Sequence, residues 1–188
     1  MQEKIITVFG SSRPQEDDAD YAEARALGEH LAKVGFAVCS GAYGGVMEAV
    51  SRGAKSTGGK TYGVTAEFFS AAKANAWIDV EVRMKTWNER LFELIKLGDG
   101  FVVCKGGTGT LAELAVLWEM QNKAVIERKP MVALGVFWAP ILSRVREVEV
   151  AANKNVARPW AESAGPLIKT ADTAKAAADY LVERLGKS

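Results

Sequence analysis

The pattern of hydrophobic and polar positions predicts short buried strands that alternate with longer amphipathic helices. Five runs are predicted as buried strands because they are short, apolar and bounded by turn residues. They cover residues 4–9, 36–39, 60–65, 100–104 and 130–135. Apolar residues recur at helical spacing between these runs, at residues 18–34, 46–56, 85–97, 111–121 and 137–150. A short extra strand is predicted at 77–82, loop-like sequence at 153–166 and an alanine-rich helix at 171–185.

This alternation predicts an α/β fold. Strands separated by helices form a parallel sheet with right-handed crossovers and helices on both faces. We therefore expect residues 1–188 to form a single, doubly wound, Rossmann-like nucleotide-binding domain. With the main strands in the order 3-2-1-4-5, ligands would bind beyond the carboxyl ends of the strands, where the strand order reverses. That crevice falls between the first strand and the strand at 100–104.

Composition and charge narrow the possible partners. The chain has 48% hydrophobic and 25% charged residues, which is typical of a globular protein. Its net charge of +1 gives no reason to expect nucleic acid or an anionic membrane as a partner. No apolar run approaches the roughly 20 residues of a membrane span, and the start of the chain does not resemble a signal peptide. We therefore expect a cytoplasmic protein in which Cys39 and Cys104 are free, buried thiols.

The strongest candidate for a binding site is the glycine-rich turn after the strand at 100–104. It consists of Lys105, Gly106, Gly107, Thr108, Gly109 and Thr110, and a helix follows it. Glycine allows close approach of the main chain to a ligand, and a helix start offers unpaired N–H groups with a partial positive charge. The turn is therefore predicted to bind a phosphate group. Glu113, one turn into the helix, would place a carboxylate beside whatever the phosphate carries.

Two less specific interpretations compete with this one. Thr110 and Glu113 have the spacing of a capping box, in which their side chains only satisfy main-chain donors at the helix start. A cap, however, does not require three glycines within four residues. Arg90 could likewise be an ordinary surface charge paired with Glu89 or Glu93.

Two further turns follow predicted strands and would meet the glycine-rich turn at 105–110 in the crevice. The turn after the first strand contains Gly10, Ser11, Ser12 and Arg13, which suit an anion but do not form the dinucleotide fingerprint. The turn after the second strand, residues 41–45, ends in Gly44 and Gly45. Residues 58–61 resemble the end of a P-loop but lie between a helix and a strand, in the reverse of the required order.

These turns resemble those of a known family. Residues 105–113 are similar to the Pro-Gly-Gly-x-Gly-Thr-x-x-Glu signature of the LONELY GUY (LOG) family, once called lysine decarboxylases. Residues 8–12, residues 41–50 and the pair Glu89-Arg90 resemble other segments of that family, so the resemblance covers about residues 5–135. It implies a homodimeric phosphoribohydrolase that cleaves AMP-like nucleotides to a free base and ribose 5-phosphate.

The resemblance also implies roles for individual residues. The turn from Gly106 to Thr110, helped by Ser12 and Arg13, would hold the 5′-phosphate, and Glu113, oriented by Arg90, would act on the ribose. No metal or cofactor is expected to be required. Lys105 stands where the signature has proline, and Leu91 stands where the family has lysine after the arginine. A relative that binds a nucleotide without cleaving it, such as a molybdenum-cofactor carrier, is the alternative prediction.

Overall fold

The computed structural model describes residues 3–69, 73–153 and 167–186, which contain seven strands and six α-helices. The strands are β1 (Ile5–Phe9), β2 (Ala37–Ser40), β3 (Thr61–Ala66), β4 (Val80–Met84), β5 (Gly100–Val103), β6 (Met131–Leu134) and β7 (Ile168–Ala171). The helices are α1 (Ala19–Lys33), α2 (Val46–Ser56), α3 (Trp87–Leu97), α4 (Thr108–Asn122), α5 (Ala139–Asn153) and α6 (Ala174–Leu185). A short 3₁₀ turn, Glu67–Phe69, follows β3.

All seven strands join one parallel sheet in the order β4-β3-β2-β1-β5-β6-β7. Helices α1, α2 and α6 cover one face, and α3, α4 and α5 cover the other. Each face is sealed by its own apolar cluster, which explains why the central strands are buried along their whole length. The predicted doubly wound, Rossmann-like sheet is therefore confirmed.

The strand order reverses between β1 and β5, while all strands remain parallel. Successive strands from β1 to β4 extend to one side, whereas β5, β6 and β7 extend to the other. β1 and β5 are hydrogen-bonded neighbours, with Phe9 opposite Val103 at their carboxyl ends. The predicted order of the five main strands is thus correct, and the crevice lies where that order places it.

The two edge strands differ from the sequence prediction. The extra strand begins at Val80 rather than at residue 77, because the preceding residues form a turn tied to the start of β3. In that turn Thr61 donates its main-chain N–H to Asp79 at 3.0 Å and its hydroxyl to the Trp77 carbonyl at 2.6 Å. β7 was not predicted, and it moves the start of the last helix from residue 171 to Ala174. Residues 154–166, within the predicted loop, lie outside the described residues.

Both cysteines are buried free thiols, as predicted. Burial raises the pKa of Cys39 and of Cys104 to about 12. Cys104 therefore stays protonated at neutral pH and is not an activated nucleophile, although it adjoins the glycine turn. Within the described ranges, no helix combines the length and the apolar character needed to cross a bilayer.

Candidate functional site

The three predicted turns meet at the carboxyl edge of the sheet. The turn after β1 lies in the middle, where the Ser11 amide donates to the Lys105 carbonyl at 3.2 Å. On its other side, the Ser11 carbonyl accepts a hydrogen bond from the Val46 amide at 2.9 Å. The turn after β1 is therefore fixed both to the turn after β5 and to the start of α2.

The turn after β2 is tightly packed against its neighbour. Gly45 has φ +66° and lies so close to the turn after β1 that an added Cβ would come 2.4 Å from the Ser11 carbonyl oxygen. A Cβ on Gly10 would similarly lie 2.5 Å from the Val46 side chain, and one on Gly44 would lie 3.7 Å from the Ser12 carbonyl. Glycine at 10 and 45 is therefore required by the protein's own packing.

The turn after β5 leaves main-chain groups open. Gly107 is the N-cap of α4, and its carbonyl accepts the first helical bond from the Leu111 amide at 2.9 Å. The amides of Thr108, Gly109 and Thr110 lie in the first turn, where an α-helix offers no acceptor. A Cβ on Gly107 or Gly109 would meet no described atom within 4 Å. This helix start can therefore receive an anion at close range.

The capping-box interpretation of Thr110 and Glu113 is wrong. Thr110 is the third residue of α4 rather than its N-cap, and its hydroxyl packs against Gly106, whose added Cβ would lie 2.1 Å from Oγ1. A capping box does occur at the start of α3. There the Glu89 amide donates to the Thr86 hydroxyl at 3.3 Å, and the Thr86 amide donates to the Glu89 carboxylate at 3.0 Å.

A cavity of about 430 Å³ opens beside the glycine turn. Among the predicted phosphate contacts, Ser11, Arg13, Lys105 and Gly106 line it. The Lys105 ammonium forms an exposed ion pair with Asp20 of α1 at 2.8 Å. Ser12 is exposed next to this cavity but does not line it, and neither do Glu113 and Arg90. Four of the phosphate candidates therefore line this cavity, whereas Glu113 and Arg90 lie outside it.

Arg90 is buried rather than a surface charge. Its side chain reaches over the ends of two strands, where Nε donates to the Val64 carbonyl at 2.7 Å and Nη2 donates to the Gly41 carbonyl at 2.9 Å. The guanidinium also lies 5.3 Å from the ring centre of Tyr43 and 5.8 Å from that of Phe69. These contacts compensate for the removal of a charge from water.

The two acidic residues nearest to Arg90 in the sequence of α3, Glu89 and Glu93, have other partners. Glu89 caps α3, as described above, and Glu93 pairs with Lys96 at 3.1 Å. Burial lowers the pKa of Arg90, and the nearby Glu113 carboxylate partly offsets that effect. The surface-charge interpretation of Arg90 is therefore wrong, and Glu113 is the carboxylate that interacts electrostatically with it.

Glu113 has the properties of a group that exchanges protons near neutral pH. Burial raises its pKa to about 7, and the positive charge of Arg90 acts in the opposite direction. Its carboxylate has no hydrogen-bond donor among the residues that the structure describes. An acid held without donors beside a fixed cation can accept or release a proton at physiological pH.

Sequence reasoning missed the residues that hold Arg90 in place. Tyr43 and Phe69 face the guanidinium, and the side chain of Asn75 donates to the carbonyls of Ala42 and Tyr43, each at 3.0 Å. Ala42 has φ +67°, a strained conformation for a residue with a side chain. The available signal was the pair Phe68-Phe69 directly after β3, since residues that follow parallel strands lie at the same edge of the sheet as the crevice.

Two hydrogen bonds at Cys104 fix the position of the end of β5. Trp138 is 1% exposed, and its indole N–H donates to the Cys104 carbonyl at 2.9 Å. Cys104 immediately precedes the glycine turn, and its amide donates to the Phe9 carbonyl at 2.8 Å. The turn therefore starts from a fixed point.

Fold and site together define a Rossmann-like protein with a phosphate-compatible helix start at the strand-order reversal. The chain belongs to the SLOG cluster4 family, whose family model matches residues 3–158. This agrees with the predicted resemblance at the level of the wider LOG-like group. An uncharacterized protein of Archaeoglobus fulgidus is 30% identical over 118 residues, which cover 63% of this chain and 76% of that protein.

Solved structures share the fold over nearly the whole chain. The molybdenum cofactor binding protein of Rippkaea orientalis has 23% identity and a TM-score of 0.73, with 98% of each chain covered. The molybdenum cofactor carrier protein of Chlamydomonas reinhardtii has 22% identity and a TM-score of 0.66, with 99% of this chain and 100% of that chain covered. DNA processing protein A of Streptococcus pneumoniae has 14% identity and a TM-score of 0.63, with 97% of this chain and 62% of that chain covered.

Proposed function

We propose that this protein is a nucleoside 5′-monophosphate phosphoribohydrolase of the LOG type. It would cleave the N-glycosidic bond of an AMP-like nucleotide and release a free base and ribose 5-phosphate. The observation that carries the proposal is the position of Glu113. A carboxyl group with a pKa raised to about 7 lies one turn beyond a helix start whose amides are open to an anion.

In the proposed complex the glycine turn holds the 5′-phosphate. The amides of Thr108, Gly109 and Thr110 point out of the helix start, and the helix dipole favours negative charge there. Gly107 and Gly109 carry no side chain that would keep the phosphate at a distance. Ser11, Arg13 and Lys105 line the adjoining cavity and supply further donors.

The chemistry follows from the pair Glu113 and Arg90. Breaking the bond between C1′ and the base leaves an oxocarbenium-like ribose that needs a nearby negative charge and an activated water. The ionised Glu113 carboxylate supplies the charge and takes a proton from the water, whose hydroxyl bonds to C1′ as the bond to the base breaks. That proton then passes to the departing base nitrogen, which restores the carboxylate. Arg90, fixed by two carbonyls, is a positive charge near the carboxyl group and favours its ionised form.

Replacing the carboxyl group tests this role. Glu113→Gln should bind AMP as wild type does and lose adenine release by roughly 10²- to 10⁴-fold, as followed by chromatography. The same replacement at Glu119, an exposed residue of the same helix, is the matched control and should leave turnover unchanged. Wild-type kcat/KM should rise with pH through about 7 because the carboxylate is the working form. Full turnover by Glu113→Gln would refute the proposal.

A second candidate is a non-catalytic nucleotide or molybdenum-cofactor carrier. The observation in its favour is the space beside the glycine turn, where a cavity of about 390 Å³ adjoins the one of about 430 Å³. Both are lined by Asp20, Lys105 and Phe137, and proteins of this fold include two described as molybdenum-cofactor binding or carrier proteins. A carrier would retain a ligand after purification, detectable by mass spectrometry of the heat-released fraction, and would release no ribose 5-phosphate from any nucleotide.

We further propose that the chain works as a cytoplasmic homodimer and that residues 1–188 form one nucleotide-binding domain. Trp118 and Met120 pack partly buried against the core beneath α4. The same helix and α5 expose Leu111, Ile141 and Val145 around a shallow groove. Apolar residues grouped in this way suit contact with a second copy. Sedimentation equilibrium measures the mass directly, and a monomer at micromolar concentration would contradict the dimer.

A further inference from the structure

Three aromatic residues form a continuous wall at the carboxyl end of β3. The rings of Tyr43 and Phe69 meet edge to face with centroids 5.5 Å apart, and those of Phe69 and Phe68 do the same at 5.2 Å. Arg90 covers Tyr43 and Phe69, whereas Phe68 remains 72% exposed. This aromatic wall, Tyr43-Phe69-Phe68, therefore presents its outermost ring to solvent at the edge of the sheet where the crevice lies.

The wall continues a row of groups along that edge. The open helix start follows β5, Glu113 lies one turn further into α4, and Arg90 interacts electrostatically both with Glu113 and with Tyr43. The row therefore runs from the anion-binding amides through the acid and the guanidinium to the aromatic rings. A nucleoside monophosphate has the same sequence of parts, namely phosphate, sugar and planar ring.

Two polar side chains beside the wall, those of Tyr43 and Asn75, are engaged within the protein. The Tyr43 hydroxyl accepts from the Ala66 amide at 3.1 Å. The Asn75 side chain donates to the carbonyls of Ala42 and Tyr43 and accepts from the Trp77 amide at 3.0 Å. These two side chains therefore have little hydrogen-bonding capacity left to read the edge of a base, and the exposed ring of Phe68 offers stacking instead.

We propose that the aromatic wall, through the exposed ring of Phe68, is the base subsite of this protein and binds the nucleobase by stacking. The inference rests on the proposed function, since it assigns the third part of the same substrate. Stacking energy depends on ring area more than on edge substituents. The protein therefore takes purine nucleotides with little distinction between adenine and guanine, and it takes pyrimidine nucleotides less well.

The test compares ligands with and without a base. Calorimetry on the Glu113→Gln background, where AMP is not consumed, gives the dissociation constants of AMP and ribose 5-phosphate. Phe68→Ala should weaken AMP roughly tenfold or more and leave ribose 5-phosphate unchanged, and Phe68→Trp should restore AMP binding. Phe92→Ala, which removes a ring that is 48% exposed on α3, is the matched control and should change neither constant. GMP should bind within about fivefold of AMP, and CMP about tenfold more weakly.

The outcomes separate the inference from the function on which it rests. If AMP binds and Phe68→Ala leaves its dissociation constant within about twofold, the base subsite is refuted while the proposed function stands. An equal loss of AMP and ribose 5-phosphate binding, or a discrimination between AMP and GMP of a hundredfold, also overturns recognition by stacking. If the wild-type protein binds neither ligand, the proposed function fails and the base subsite fails with it.

Discussion

The glycine turns after β2 and β5 have similar sequences and similar places in the fold, but their glycines meet different surroundings. In the turn after β2, a Cβ on Gly41 would lie 1.8 Å from the Arg90 guanidinium, and one on Gly45 would lie 2.4 Å from a main-chain oxygen. In the turn after β5, only Gly106 is enclosed, whereas Gly107 and Gly109 face open space without a positive φ. The turn after β2 needs glycine in order to fold, whereas the turn after β5 keeps glycine at Gly107 and Gly109, where folding does not require it.

From this difference we infer that the turn after β2 has a structural role and that the turn after β5 is a binding surface. Glycine at Gly109, inside the first turn of α4, costs stability relative to alanine and gains nothing from packing. Such a position is explained when something outside the protein must approach the main chain closely. The turn after β2, by contrast, positions Arg90 and the turn after β1. Four predictions test this division, in order of decreasing expected effect.

Gly45→Ala should be the most damaging change. It combines a backbone conformation that side chains rarely adopt with a clash against the fixed main chain of Ser11, so we expect a loss of about 3 kcal/mol or more in urea unfolding. Gly58→Ala is the control, because Gly58 has φ +79° but open space around it, and it should lose only about 1 kcal/mol. Equal losses in the two variants would show that the packing against Ser11 is not the cause.

Glu113→Gln should make the protein more stable at high pH. The folded-state pKa of about 7 exceeds the ordinary value of 4.5, so the folded protein holds this proton after the unfolded chain has released it. Stability therefore falls as the pH rises from about 4.5 to about 7, by an amount on the order of 1–3 kcal/mol. Urea unfolding at pH 5 and pH 8 should show this fall in the free energy of unfolding for the wild type and not for the variant. A variant less stable than wild type at pH 8 would contradict the buried-carboxyl interpretation.

Gly109→Ala should have opposite effects on stability and binding. Alanine favours the helix, so the free energy of unfolding should rise by up to about 1 kcal/mol, as measured by thermal or urea unfolding. The added methyl group occupies the space that we assign to the phosphate, so AMP and ribose 5-phosphate should both bind severalfold more weakly. Unchanged binding together with increased stability would place the phosphate away from this helix start.

Lys105→Ala should produce the smallest change. Its ion pair with Asp20 is exposed, and such pairs contribute little to stability. If Lys105 contacts the phosphate, Lys105→Ala weakens AMP binding a few-fold, whereas Asp20→Asn frees the ammonium and strengthens it. Both effects should shrink at high salt in calorimetric titrations. Identical responses of the two variants would exclude a direct contact between Lys105 and the ligand.

The sequence was sufficient to predict the centre of the sheet but not its edges. β1, β2, β5 and β6 are buried on both faces and therefore read as continuous apolar runs. β7 exposes two of its four residues, including Lys169, so no apolar run marks it. The start of β4 was misplaced because Trp77 and Ile78 have high strand propensity, while contacts with Thr61 hold the chain in a turn there.

The candidate site, too, could be predicted from the sequence only in part. Strand order alone was enough to predict that the three turns meet, since parallel strands end at one edge. The surroundings of Arg90 could not be predicted, because its carbonyl partners at Gly41 and Val64 are 49 and 26 positions away in the chain and carry no side-chain signal. The same holds for Glu113, whose raised pKa comes from burial in the folded protein, which no side-chain pattern in the sequence shows.

The hydrogen bond from Trp138 to the Cys104 carbonyl gives the molecule an intrinsic optical reporter. An indole that is fully enclosed emits at short wavelength, and its emission responds to the polarity and strength of the bond at its N–H. Because the acceptor is the last residue before the glycine turn, any ligand that displaces this turn also alters the environment of the fluorophore. A variant that keeps Trp138 alone of the five tryptophans would therefore report ligand binding by its own fluorescence, without a label and before the substrate is known.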